Sequence, residues 1–158
     1  MSKDQVSGRD VSRNRQAFHL FEILDRFEAG IVLTGFEVKS ARLGKVNLKD
    51  AFARIERGEI WLHHCHISPY EYHTVEGLTP VDPLRKRKLL MHSAEIRRLR
   101  GKVEEKGLTL VALRMYFKGS RLKVELGLGR GKHSYDKRDT LRKKDQEREA
   151  ERALRDRD

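Results

Sequence analysis

One cysteine, three prolines and one tryptophan are all that the 158 residues hold of these types. A lone thiol cannot close an internal disulfide, so a cross-linked secreted scaffold is excluded and a reducing, cytoplasmic setting is expected. No apolar run approaches the roughly 20 residues of a spanning helix, so no membrane partner is expected. The first residues, Met1-Ser-Lys-Asp-Gln-Val-Ser-Gly-Arg-Asp10, lack the apolar stretch of a secretory signal. Catalytic signatures are also missing: no nucleophile elbow, no His-Glu-x-x-His, no paired carboxylates at a recognisable spacing. The expectation is a protein that is not an enzyme.

What the chain has in excess is positive charge. Lys+Arg number 35 against 24 Asp+Glu, for a formal charge of +11 and a pI near 10.0. Such a balance points to a polyanionic partner. Residues 1–13 are polar and read as a flexible arm. Residues 14–130 carry strand patterning, and residues 131–158 read as a basic tail. From position 130 onward, eleven Lys/Arg stand against eight Asp/Glu, so this end carries +3 and the remainder +8. The tail's sizeable apolar side chains are Tyr135, Leu141 and Leu154, too few to offset the entropy of ordering a free segment. From Asp139 to Arg157 the pattern is helix-compatible without being amphipathic. Glu151 and Arg155 form a favourable i,i+4 pair, whereas Lys144/Arg148 and Arg148/Arg152 repel. A free helix is therefore marginal, and the expectation is a tail disordered when free and helical when bound to a polyanion.

In the body, Phe21, Ile23 and Phe27 alternate with Glu22 and Arg26, and Ile31-Val-Leu33 continues as a buried strand. Thr34-Gly-Phe-Glu37 has capping-box spacing and starts a short helix with Lys39 and Arg42 that stops at Gly44. Residues 51–57 and 59–67 read as a hairpin turning at Arg57-Gly58. Ser93 is the expected N-cap of a second helix through Leu99, ended by Gly101. Two strands, Leu108–Phe117 and Leu122–Leu128, turn at Lys118-Gly119-Ser120. About six strands and two short helices predict a mainly β fold, a small closed or nearly closed barrel, of which the oligonucleotide-binding barrel is a common basic example.

Several local patterns have plainer readings than the chemistry they suggest. His63-His64-Cys65-His66 would alternate faces on a strand, so its four donors cannot converge and a half-buried polar strand is expected, with no metal. Gly127-Leu-Gly129-Arg-Gly131-Lys132 lacks the spacing and the following helix of a phosphate loop; it reads as a flexible exit into the tail. Basic residues cluster at Arg13/Arg15, at Lys39/Arg42/Lys45 and at Arg85-Lys86-Arg87-Lys88, which together suggest a phosphate-tracking surface. Glu28 is either a structural partner for Arg or an acceptor for base and sugar donors, and spacing alone favours the structural role.

Long motifs then occur in order: Asn14-Arg-Gln-Ala17, Phe27-Glu-Ala-Gly-Ile-Val-Leu-Thr-Gly35, Glu37-Val-Lys-Ser40 with Arg42 and Gly44-Lys45, Asn47-Leu-Lys-Asp50 and His66-Ile-Ser-Pro-Tyr-Glu71. Further along stand Asp82-Pro-Leu-Arg-Lys-Arg-Lys-Leu-Leu90, Lys106-Gly-Leu-Thr-Leu110, Val124-Glu-Leu-Gly-Leu128 and Gly129-Arg-Gly-Lys-His-Ser-Tyr-Asp-Lys-Arg138. From about residue 14 to its end the chain resembles the SmpB family, the SsrA-binding proteins of bacterial trans-translation. The resemblance implies an oligonucleotide-binding-type β-barrel with two or three short flanking helices, and no cofactor. It implies binding to the tRNA-like domain of transfer-messenger RNA and delivery to a stalled 70S ribosome, where the tail would meet small-subunit rRNA in the decoding region and the vacant mRNA channel. Elongation factor Tu and alanyl-tRNA synthetase would be indirect partners through the RNA, with the protein itself a monomer. Matching RNA-contacting positions are Asn14, Glu28 and Leu90, with Lys39, Arg42 and Lys45 alongside. Matching tail positions are Gly131, Lys132, Tyr135, Asp136, Lys137 and Arg138. His133 stands where the family usually has a second lysine, and an unperturbed imidazole is mostly uncharged at neutral pH. Two other classes remain open to a small basic chain: a nuclease, which would turn over RNA, and a structural ribosomal protein, which would reside on every ribosome.

Overall fold

The computed structural model describes residues 10–70, 81–132, 148–150 and 152. Its strands are β1 (Asp10–Arg13), β2 (Phe21–Ile31), β3 (Val46–Asn47), β4 (Phe52–Glu56), β5 (Glu59–His63), β6 (His66–Ile67), β7 (Arg87–Leu90), β8 (Thr109–Lys118) and β9 (Arg121–Gly131). Its helices are α1 (Ala17–Leu20), α2 (Gly35–Arg42) and α3 (Ser93–Lys106). The pairings β2–β9, β9–β8, β8–β4, β4–β5, β5–β7 and β7–β2 are all antiparallel and return to the starting strand. That closure makes a barrel, which leaves its member strands no free edge. β1 pairs outside this ring with β8, and β3 and β6 form a separate two-stranded sheet. The mainly β class and the small barrel are as expected.

The interior is filled by Ile60, Leu62, Leu89, Leu110, Met115, Val124 and Leu126, with Leu48 and Leu99 sealing it from outside the ring strands. A bulge in β8 between Ala112 and Arg114 breaks the alternation. Val111 and Leu113 alternate away from Leu110 and Ala112 and pack with Ala17, Phe21 and Ile23, so that α1 has an apolar seat outside the barrel, and the bulge then returns Met115 to the main core.

Local chemistry explains most boundaries. Thr34 Oγ1 accepts from the Glu37 N–H at 3.3 Å while Glu37 accepts from the Thr34 N–H at 2.9 Å, completing the capping box. At the other end the Lys45 and Gly44 N–H groups donate to Ser40 and Ala41, with Gly44 at φ +73°, a Schellman closure. The β4–β5 turn has positive φ at both Arg57 and Gly58, the handedness that matches strand twist.

Elsewhere the expected boundaries move. α3 runs through Gly101 to Lys106, starts from His92 with no side-chain cap, and ends at Gly107 with φ +60°. A glycine costs a helix only about 1 kcal/mol, which the burial of Ile96 and Leu99 outweighs. The second arm of the hairpin breaks at His64, φ +60°, separating β5 from β6. Residues 10–13, expected in the arm, form β1. Val32, expected in a buried run, is 46% exposed. The glycine-rich 127–131 stretch is not an exit: it is paired strand throughout, opposite β2. A Cβ at Gly127 would lie 2.9 Å from Leu113 Cδ1, and one at Gly129 would lie 3.0 Å from Phe21 Cβ. These glycines let two elements approach.

Candidate nucleic-acid interface

The outer face of β2 and its neighbours carries the polar chemistry. Glu28 sits directly opposite Glu125 across the β2–β9 ladder, a repulsive pairing in isolation. Each carboxylate has its own donors. Glu28 accepts from the Tyr116 hydroxyl and, at 3.3 Å, from Lys118 Nζ; Glu125 accepts from Arg26 at 3.3 Å and Arg114 at 3.4 Å. The Tyr116 hydrogen bond, then Lys118, outweighs burial and holds the Glu28 carboxyl below its ordinary value. Burial and the neighbouring Glu28 push the Tyr116 phenol up. Glu28 is thus ionised and acceptor-only at neutral pH, with its side chain 38% exposed.

Two residues along β2, Gly30 pairs with Leu90 of β7. A Cβ at Gly30 would come within 3.3 Å of Leu90 Cβ, so the glycine leaves Leu90 room to lie outward at 52% exposure. Glu28 and Leu90 therefore share one face, an exposed apolar side chain near an acceptor. Lys39 and Arg42 stand on α2, and Lys45 comes just after it. Lys39 Nζ lies 5.5 Å from the ring centroids of both Phe36 and Tyr70.

Asn14 is placed differently. It is only 5% exposed; its amide donates to the Ala112 carbonyl at 2.9 Å and its Oδ1 accepts from the Ala17 N–H at 3.3 Å. It pins the start of α1 to β8, on the floor of a cleft of about 320 Å³ that also meets Arg13, Arg15, Phe18, Arg26 and Arg114.

The run Arg85-Lys86-Arg87-Lys88 is not a free phosphate-tracking stripe. Arg87 is fully buried, donating to Glu37 at 2.7 Å, to the Pro83 carbonyl at 3.0 Å and to the Cys65 carbonyl. Arg85 pairs with the other Glu37 oxygen. Burial would raise the Glu37 carboxyl, but the hydrogen bonds from Arg85, Thr34 and Arg87 bring it below its ordinary value. Lys86 pairs with Glu56 at 3.0 Å and lies over Trp61 at 4.7 Å; Lys88 meets Glu59 at 3.6 Å. Strand pleating sends alternate residues to opposite faces, so a linear run of cations cannot share one surface. In the His63–His66 run, His63 meets Glu56 at 3.1 Å while Cys65 is buried, with its thiol pushed up to about 11 by burial.

The family model for SmpB protein matches residues 11–156. The SsrA-binding protein of Carboxydothermus hydrogenoformans is 57% identical over 145 residues, 92% of this chain and 95% of that one. The chain belongs to the SmpB family. The SsrA-binding protein of Bacillus subtilis is 54% identical over 150 residues, 95% and 94% of the two chains. A solved structure described as "tmRNA-SmpB: a journey to the center of the bacterial ribosome" matches with a TM-score of 0.64 at 54% identity, over 78% of this chain and 85% of that one.

Among the residues matched to the family, the fold brings Glu28 and Leu90 onto one face and seats Asn14 beside it; Lys39, Arg42 and Lys45 stand apart on and after α2. Gly131 ends β9, and the Lys132 N–H donates to the Leu20 carbonyl at 3.1 Å, so the tail leaves the barrel beside α1. His133, Tyr135, Asp136, Lys137 and Arg138 lie outside the described residues. Sequence reasoning missed Tyr116, Lys118, Arg114 and Glu125 around Glu28, and Phe18 beside Asn14. The alternation in β8 held a signal for Tyr116 and Lys118, but the bulge displaces the register on which it depends.

Proposed function

We propose that this protein binds the tRNA-like domain of transfer-messenger RNA and carries it to stalled ribosomes for trans-translation, as a cytoplasmic monomer acting by binding rather than turnover. The observation that carries the reading is the pairing of an ionised, hydrogen-bonded Glu28 with an exposed Leu90 on one barrel face of a protein of net charge +11. A carboxylate repels phosphate but accepts from exocyclic amines and ring N–H groups of unpaired bases, and an exposed leucine offers a base an apolar contact. Cations such as Lys39, Arg42 and Lys45 supply the sequence-independent attraction to the backbone. Asn14 acts as the group that positions α1. Gly131, Lys132, His133, Tyr135, Asp136, Lys137 and Arg138 form the tail motif directed to the decoding region, and elongation factor Tu and alanyl-tRNA synthetase are met through the RNA.

The test is a gel shift against transfer-messenger RNA, with ordinary tRNA as competitor. Glu28→Ala and Leu90→Ala should each weaken binding, by about tenfold for the charged group. The Leu90 variant should keep its stability, whereas the Glu28 variant should lose about 1–3 kcal/mol because the buried Tyr116 hydroxyl is left unpaired. Unaltered affinity in both variants would move the interface to another face. Asn14→Ala is a poorer probe, because its loss would loosen the β1–α1 junction.

A further inference from the structure

The cleft at Asn14 holds more chemistry than a structural junction needs. Among the described residues, four guanidinium groups, of Arg13, Arg15, Arg26 and Arg114, meet two carboxylates there: Asp10 pairs with Arg13 and Arg114, and Glu125 with Arg26 and Arg114. Two positive charges are therefore in excess. Above them Phe18 is 44% exposed, an aromatic ring held out of the core by a four-residue helix whose inward residue, Ala17, is buried. Arg26 lies 5.5 Å from the Phe18 ring centroid, over one face. Arg26 is two residues from Glu28 on β2, so the cleft continues the interface already described.

We propose that this cleft is a single-nucleotide subsite: one unpaired RNA base stacks on Phe18 and the Arg26 guanidinium, and its flanking phosphate sits against Arg13 and Arg15. This rests on the RNA-binding reading above. Aromatic rings and guanidinium planes are what proteins present to splayed-out bases, whereas duplex backbone needs only cations. The volume of about 320 Å³ is at the lower end of small-molecule sites, roughly 300–1,000 Å³, a size that suits one nucleotide. The buried Asn14 amide fixes the ring's position by holding the first turn of α1 to β8. Phe18 is thus the contact that selects an extruded base, and Arg15 a phosphate contact.

The experiment uses the full chain and transfer-messenger RNA carrying one abasic nucleotide at a time in the unpaired positions of its tRNA-like domain. Phe18→Leu keeps an apolar side chain at an exposed position, so the fold is retained, but removes the π face. It should weaken binding of intact RNA roughly five- to hundredfold without changing the salt slope. Phe18→Trp should restore binding. Arg15→Gln should lower the salt slope by about 0.7. One abasic position should weaken the wild-type complex and leave the Phe18→Leu complex unaffected. If wild type binds but Phe18→Leu binds as tightly, or no abasic position shows that coupling, the subsite is overturned while RNA binding stands. If wild type does not bind transfer-messenger RNA, the functional reading itself fails.

Discussion

Glu37 shows how one side chain can serve two structures. Its backbone and carboxylate complete the capping box of α2, and the same carboxylate neutralises Arg87, which has no solvent exposure, and Arg85. Removing one partner of a buried pair leaves an uncompensated charge, which costs about 3–5 kcal/mol. Glu37→Gln should therefore lower the denaturant midpoint by that order, and a loss under about 1 kcal/mol would mean that Arg87 finds water instead. The sign with pH comes from the depressed carboxyl. Its contribution is complete above the ordinary value of 4.5 and disappears as pH falls through the lower native value. Wild type should lose stability on acidification over that window more steeply than Glu37→Gln. Equal slopes in urea titrations from pH 6 to pH 3 would place the acid sensitivity elsewhere.

At the scale of elements, β2, β8 and β9 form the wall that carries the proposed interface. Glu28, Glu125, Arg26, Arg114, Tyr116 and Lys118 interlock across it, so each strand contributes a charge that another balances. The glycines of β9 allow that wall its second layer. Leu113 and Ile23 sit where a Cβ on Gly127 would fall, with closest approaches of 2.9 and 3.2 Å, and Leu113 is too buried to yield. Gly127→Ala should cost about 1–3 kcal/mol despite the better strand propensity of alanine. Thermal or denaturant unfolding checks this, and an unchanged or higher midpoint would show that α1 simply rides outward. Arg148–Ala150 and Arg152 are helical, and the rest of the stretch from Asp139 onward lies outside the described residues.

For the whole molecule, charge separates RNA binding from the later step on the ribosome. Residues 133–158 contain nine Lys/Arg and eight Asp/Glu, so deleting them changes net charge only from +11 to +10. The deletion should leave affinity for transfer-messenger RNA nearly unchanged in gel shifts, because counterion release is governed by cations that remain on the body. Peptide tagging on stalled ribosomes should be abolished. A large fall in affinity would instead make the tail an RNA anchor.

Taken alone, the sequence determined the features that depend on neighbours along the chain. Composition set the class of partner, the Thr34–Glu37 spacing set a cap, Gly44 and Arg57-Gly58 set a stop and a turn, and ordered motifs set the family. These are legible because caps and turns close within a few residues. What only the tertiary structure decided involves residues far apart in the chain: Arg87 inside rather than on the surface, Glu28 held by Tyr116, glycines 127 and 129 packed rather than loose, and α3 passing through Gly101. In each case the deciding energy is burial, a hydrogen bond or an ion pair with a residue tens of positions away, and it exceeds the local preference of about 1 kcal/mol that a sequence window reports. Phe18 shows the limit most clearly, since its exposure depends on Ala17, Phe21 and Ile23 taking the apolar seat that Val111 and Leu113 offer nearly a hundred positions away.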